Sequence, residues 1–340
     1  MMEDYAGPQG LSGDKQIVST EELFVYPPKF QKPPEQATNV WLKSIASLAL
    51  YLILGYYIFH SFEMLLLITA IVVFHELGHF FAMKFYSYKD LGIFFIPLLG
   101  AYVSGSKREV SQKESSVILL AGPLPGIILG IILYFLYQNN HGLYIGSISF
   151  YTVAVSLIFL NLVNLIPVYP LDGGQLLNRV FLDEESWLSR LFVLLSIAFL
   201  TWFALYGMGR PFYPLLIFPA MMLFRMFGDT RLNTIEKKIE TAGFDLNVAY
   251  EDLSDEDYWK IRNILINEHP SFKDIPTAPP FEYSPKEEKI MLTIQSLLHR
   301  NLIQDVSVAG KIIILIIWLA AIASPWLINM DLSFFSRFGF

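Results

Sequence analysis

The chain has 340 residues, is 54% hydrophobic with a mean hydropathy of +0.46, and contains no cysteine. A net charge of −7 argues against a nucleic-acid partner gathered by bulk electrostatics. The lack of cysteine excludes disulfides, thiolate metal sites and a cysteine nucleophile, and the apolar excess is that of an integral membrane protein.

Residues 1–40, with "YPPKFQKPP" at 26–34, have neither an apolar signal core nor a small-residue cleavage site and read as a flexible cytosolic tail, partly polyproline. Beyond them, a bilayer core about 30 Å thick asks for roughly 20 apolar residues per helix. Stretches at 41–59, 64–83, 117–137, 150–168, 189–207, 211–228 and 311–328 qualify. The predicted fold class is therefore an α-helical polytopic membrane protein of about seven transmembrane helices: a six-helix core over 41–228 and a separate C-terminal helix at 311–328. The loop from Lys84 to Ser115 carries Lys84, Lys89, Lys107, Arg108 and Lys113, whereas 60–63 and 138–149 carry no Lys or Arg. The positive-inside rule then puts the N-terminus and 229–310 in the cytoplasm and the C-terminus outside.

Between the second and third spans, "LGIFFIPLLGAYVSG" (91–105) is apolar and β-prone, but Pro97 and Gly100 interrupt it and it is too short to cross as a helix. Backbone at membrane depth must be shielded from lipid, so a re-entrant, β-like hairpin is expected. Within the third span, Gly122, Gly126 and Gly130 recur every fourth residue, the pattern of a close helix-packing seam. Residues 229–310 are charged with both signs and read as a small cytosolic helical insertion, in which Ser254, three residues before Asp257, marks a helix N-terminus. An unknown regulator is a candidate partner of this insertion, whose sequence shows no repeat and no Gly-rich phosphate loop.

The second span carries "HELGH" at 75–79. Ionisable groups in hydrocarbon are costly and mark functional sites. His75 and His79, four residues apart, share one helical face and can reach one metal ion, with Glu76 beside them in the position of a general base. Chance or a salt-bridged surface accounts poorly for such a cluster in an apolar span. A catalytic zinc site takes a third protein ligand. The candidate is Asp172 in "NLVNLIPVYPLDGGQ" (161–175), at the cytoplasmic end of the fourth span, which runs in the same direction as the second. Asn161 and Asn164 share a face of that span; Asn164 is an active-site donor candidate, while helix bridging by both asparagines and a plain turn at "PLDGG" are the competing readings.

Together, "HELGH" in one span and "NLIP" (164–167) followed by "LDGG" (171–174) in a later one resemble the site-2 protease family of intramembrane zinc metalloproteases, over roughly residues 64–178. The "AGP" at 121–123 and the 91–105 loop are also similar to elements of that family. The resemblance implies one Zn²⁺ held by His75, His79 and Asp172, Glu76 as general base and Asn164 near the scissile carbonyl. It implies a metalloendopeptidase in a bacterial inner membrane or equivalent bilayer, active towards the cytoplasm, that cuts membrane proteins in or beside a transmembrane segment. The hairpin would present the unwound substrate as an added strand. A metal transporter and a non-catalytic signalling scaffold are the alternatives; the chain shows no inverted repeat for the first, and the second gives Glu76 no role.

Overall fold

The computed structural model describes residues 26–31, 40–59, 61–96, 100–107, 110–182, 186–207, 212–298 and 302–330. The chain is mostly helical with small sheets. In order it forms α1 (Val40–Phe59), α2 (Phe62–Phe85), β1 (Lys89–Ile96), β2 (Gly100–Ser106), β3 (Val110–Ser111), α3 (Gln112–Ala121), α4 (Pro123–Asn139), β4 (Tyr144–Ile145), β5 (Ile148–Ser149) and α5 (Phe150–Asn164). There follow α6 (Asp172–Leu176), α7 (Trp187–Trp202), α8 (Ile217–Thr241), α9 (Asp255–Glu268), α10 (Glu287–Leu297), β6 (Leu302–Ile303) and α11 (Val308–Leu327).

Among the described residues, four helical stretches are long and apolar enough to cross a membrane: Phe62–Phe85, Gln112–Asn139, Trp187–Gly207 and Val308–Leu327. Val40–Tyr56 and Phe150–Asn164 are shorter apolar helices. The stretch expected at 211–228 is not among these. It opens with a 3₁₀ turn at Tyr213–Leu216, and α8 then runs unbroken from Ile217 to Thr241, through the composition change after Gly228. The third span is divided at Gly122, because Pro123 at the first position of α4 has no N–H to continue the hydrogen bonding of α3.

The 91–105 segment forms an antiparallel hairpin with Ile96 opposite Gly100, Phe95 opposite Ala101 and Ile93 opposite Val103, and a bulge between Lys89 and Gly92. Its tip, with Pro97, lies outside the described residues. One edge is covered by α1: Ser47 Oγ accepts from the Phe95 amide at 3.1 Å, and Tyr51 packs on the Phe95 ring. Such cover satisfies a strand edge that lipid could not.

The charged region has its own core of Ile239, Leu246, Tyr258, Trp259, Ile261, Leu265, Phe272, Ile290 and Ile294. Ser254 caps α9 as expected, its Oγ accepting from the Asp257 amide at 3.0 Å and donating to the Asp257 carboxylate at 2.7 Å. Arg262 and Glu287, each 1% exposed, form a buried pair at 2.7 Å. Of the expected flexible tail, residues 26–31 are held on this core, with Tyr26 and Phe30 packed against it, because their carbonyls and rings find partners there. The rest of 1–39 lies outside the described residues.

Candidate metal centre

Two elements meet inside the apolar core. His75, Glu76 and His79 are buried on α2, at 6%, 6% and 8% exposure. Asp172 opens α6, with Leu171 as the residue before the helix. The Nε2 atoms of His75 and His79 lie 3.1 Å apart, and Asp172 Oδ2 lies 3.1 Å from the first and 3.3 Å from the second. The helical repeat accounts for the His pair, while the loop preceding α6 brings the aspartate to it.

Hydrogen bonds on the far side of each imidazole set the tautomers. Asn161 Nδ2 donates to the Leu157 carbonyl at 2.7 Å, which turns its Oδ1 towards His75 Nδ1, also at 2.7 Å. His79 Nδ1 lies 2.7 Å from the carbonyl of Ile118 on α3. Both partners are acceptors, so each Nδ1 carries the proton and each Nε2 presents a lone pair.

Three lone-pair-bearing atoms then face one another, and Asp172 Oδ2 is buried with no hydrogen-bond partner. Such a set repels unless a cation joins it. Sides of 3.1–3.3 Å also come close to the roughly 3.3 Å edge of a tetrahedron with bonds of about 2.0 Å, the zinc–imidazole length. Donor chemistry and spacing both fit a metal ion of the zinc type.

Close backbone approaches make this geometry accessible. A Cβ on Gly122 would lie 2.3 Å from His79 Nε2, and one on Gly78 only 1.9 Å from the Ala121 carbonyl. The expected glycine seam thus packs helices and also leaves the space that the His79 ring and its donor face occupy. A Cβ on Gly173 would lie 2.1 Å from the Leu165 carbonyl, so "DGG" lets α6 fold back onto the preceding loop. That loop is tied down from three sides: Trp318 of α11 donates to the Leu165 carbonyl at 2.9 Å, Ser196 of α7 accepts from the Tyr169 amide at 3.1 Å, and Gln175 donates to the Pro170 carbonyl at 2.9 Å.

All three expected ligands come together, with Glu76 buried directly after His75. Asn164 is half-buried and donates to Leu160 of its own helix at 3.3 Å; it is Asn161 that touches His75. The role of Asn161 was hidden because spacing shows that two asparagines share a face without showing which of them meets the neighbouring helix. The parts played by the Ile118 carbonyl and by Trp318 leave no residue-type signal at all.

These features are those of a multi-pass membrane protein with an internal His₂–carboxylate cluster able to hold a metal ion. Residues 63–146 match the model of Peptidase family M50, and that match contains His75, Glu76 and His79 while Asp172 lies beyond it. A zinc metalloprotease of Methanocaldococcus jannaschii is 32% identical over 124 residues, 36% of this chain and 35% of that protein. Stage IV sporulation protein FB of Bacillus subtilis is 34% identical over 119 residues, 34% of this chain and 40% of that protein. The chain thus spans two fifths or less of the length of these curated relatives. The solved site-2 protease from Methanocaldococcus jannaschii aligns at 24% identity with a TM-score of 0.39, covering 54% of this chain and 85% of that one.

Proposed function

We propose that this chain is an intramembrane zinc metalloprotease that hydrolyses peptide bonds in or next to transmembrane segments of other membrane proteins. The observation that carries the reading is the buried triangle of His75 Nε2, His79 Nε2 and Asp172 Oδ2, with both Nδ1 protons engaged elsewhere. The M50 match over 63–146 and the names of the relatives support it.

His75, His79 and Asp172 would hold one zinc ion, which would supply Lewis-acid chemistry to a water and a substrate carbonyl. Glu76 accepts the proton of the attacking water and returns it to the leaving amine. Asn164 lies near the scissile carbonyl. A helical substrate has its carbonyls committed to i, i+4 bonds and must unwind first, and the β1–β2 hairpin offers a strand for the extended segment. The architecture is about seven transmembrane helices in a bacterial inner membrane, with the 41–228 core, the cytosolic insertion 229–310 bearing a regulatory contact, and the active site towards the cytoplasm. The Lys and Arg in 84–115, against none in 138–149, support that orientation.

The test separates ligands from base. His75→Ala, His79→Ala and Asp172→Ala should each lower zinc content and abolish cleavage of a membrane substrate. Glu76→Gln should keep zinc while turnover falls by at least about 10²-fold. Purified, zinc-loaded Glu76→Gln protein cutting at the wild-type rate would overturn the assignment.

A further inference from the structure

We infer that the unit built from α9, α10 and the end of α8 carries a binding site for extended, proline-bearing peptides, and that the chain's own Tyr26–Gln31 fills it in cis. This goes beyond the proteolytic reading and does not depend on it.

The segment "YPPKFQ" is neither helical nor paired in a sheet, and it lies at least 220 positions along the chain from the groups it hydrogen-bonds. Prolines offer carbonyls and no N–H, so a receptor for them must supply donors beside apolar faces. Trp259 Nε1 donates to the Pro27 carbonyl at 2.9 Å, the Tyr283 hydroxyl donates to that of Pro28, and the Tyr250 hydroxyl to that of Phe30 at 2.6 Å. The Trp259 and Tyr283 rings stack, with centroids 5.7 Å apart. Tyr26 meets the edge of Phe281 at 5.4 Å and Phe30 that of Tyr283 at 5.5 Å.

Polar contacts add direction and charge preference. The one backbone N–H between Pro28 and Phe30, that of Lys29, donates to Asp255 Oδ1 at 2.7 Å. The Lys29 ammonium donates to the carbonyls of Glu251 at 2.6 Å and Leu253 at 2.5 Å. Beyond Tyr26 the groove continues as a cavity of about 140 Å³ lined by Trp259, Asn263, Pro279 and Phe281. The receptor's donors are side-chain tips around an aromatic floor, and its core of Tyr258, Ile261, Leu265, Phe272 and Ile290 lies beneath them. The ligand class is an extended peptide with an aromatic residue before Pro-Pro and a Lys after it.

Only eight residues, 32–39, separate the segment from α1. Such a tether keeps its local concentration near the millimolar range, so a peptide in trans binds only when the cis segment is weakened. The probe is a fluorescein-labelled peptide of residues 25–31, VYPPKFQ, titrated by polarisation into the full-length protein in detergent. The chain carrying Tyr26→Ala and Phe30→Ala should bind it at least about tenfold more tightly than the wild type. Adding Tyr283→Phe should weaken that binding severalfold, and a peptide with its Tyr and Phe replaced by Ala should not bind. Equal affinities for variant and wild type, or no binding at 1 mM peptide (about the local concentration expected of the tether), would overturn the inference. If the double variant loses the cooperative melting of this unit, Lys29→Ala, which removes only the ammonium contacts, decides: no gain in peptide binding over the wild type overturns it.

Discussion

Removing the Asn161 carboxamide should weaken metal binding without touching a ligand. In Asn161→Ala, His75 Nδ1–H loses the acceptor now 2.7 Å away at a buried position. An unpaired buried donor costs about 1–3 kcal/mol, and the ring can escape the cost by moving its proton to Nε2, the atom that must bind the metal. Loss of such an outer-shell partner lowers metal affinity about 10–100-fold, or roughly 1.4–2.7 kcal/mol. The Asn161 side chain also packs where a Cβ on Gly126 would lie 2.2 Å from its Nδ2, so Asn161→Asp, which keeps an acceptor and the shape, is the control. Chelator competition on purified protein reads the zinc dissociation constant: Asn161→Ala should shift it by one to two decades, with Asn161→Asp much closer to wild type. An unchanged constant for Asn161→Ala would refute the idea that this amide orients His75.

Gly122→Ala is a steric test. The backbone at φ −70° admits alanine, but its Cβ would lie 2.3 Å from His79 Nε2, and ordinary contact requires the ring to retreat by about 1 Å, beyond the roughly 0.5 Å tolerance of a metal constellation. Zinc content should fall sharply while the far-ultraviolet dichroism stays native. Trp318→Phe removes the indole donor to the Leu165 carbonyl, with an expected cost of about 1–3 kcal/mol read as a lower melting temperature. Burial alone would raise the Glu287 carboxyl, but hydrogen bonds from Arg262, Tyr258 and the Ser284 amide outweigh it and hold the group below its ordinary 4.5. The unfolded chain therefore binds this proton more readily, so the stability Glu287 contributes is complete above about pH 4.5 and fades below it, as acid melts of the wild type should show. Glu287→Gln leaves Arg262 as an unpaired buried charge and should cost about 3–5 kcal/mol. Finally, a reporter at residue 260 should be shielded from the outside and one after Met330 accessible there.

Much of the site was legible because helices repeat. His75 and His79 must share a face whatever surrounds them, and their presence in an apolar span points to a bound ion on energetic grounds alone. The hairpin at 91–105 was legible from β-prone residues interrupted by Pro97 and Gly100, too few to cross as a helix. The span at 211–228 was harder, since hydropathy reports composition while α8 continues through Gly228 wherever its backbone hydrogen bonds remain satisfied.

The fate of residues 26–31 could not be read locally. Their composition is that of a loose tail, and what holds them is a set of aromatic donors at least 220 positions away. The same division runs through the metal centre. Residue type and spacing decide which atoms are able to bind a metal, because lone pairs and helical periodicity are properties of the chain itself. Whether Asn161 or Asn164 meets His75, and how the Asp172 loop is braced by α7 and α11, depends on which helix faces close together. That outcome is set by the packing of all the elements at once and is encoded in no single stretch.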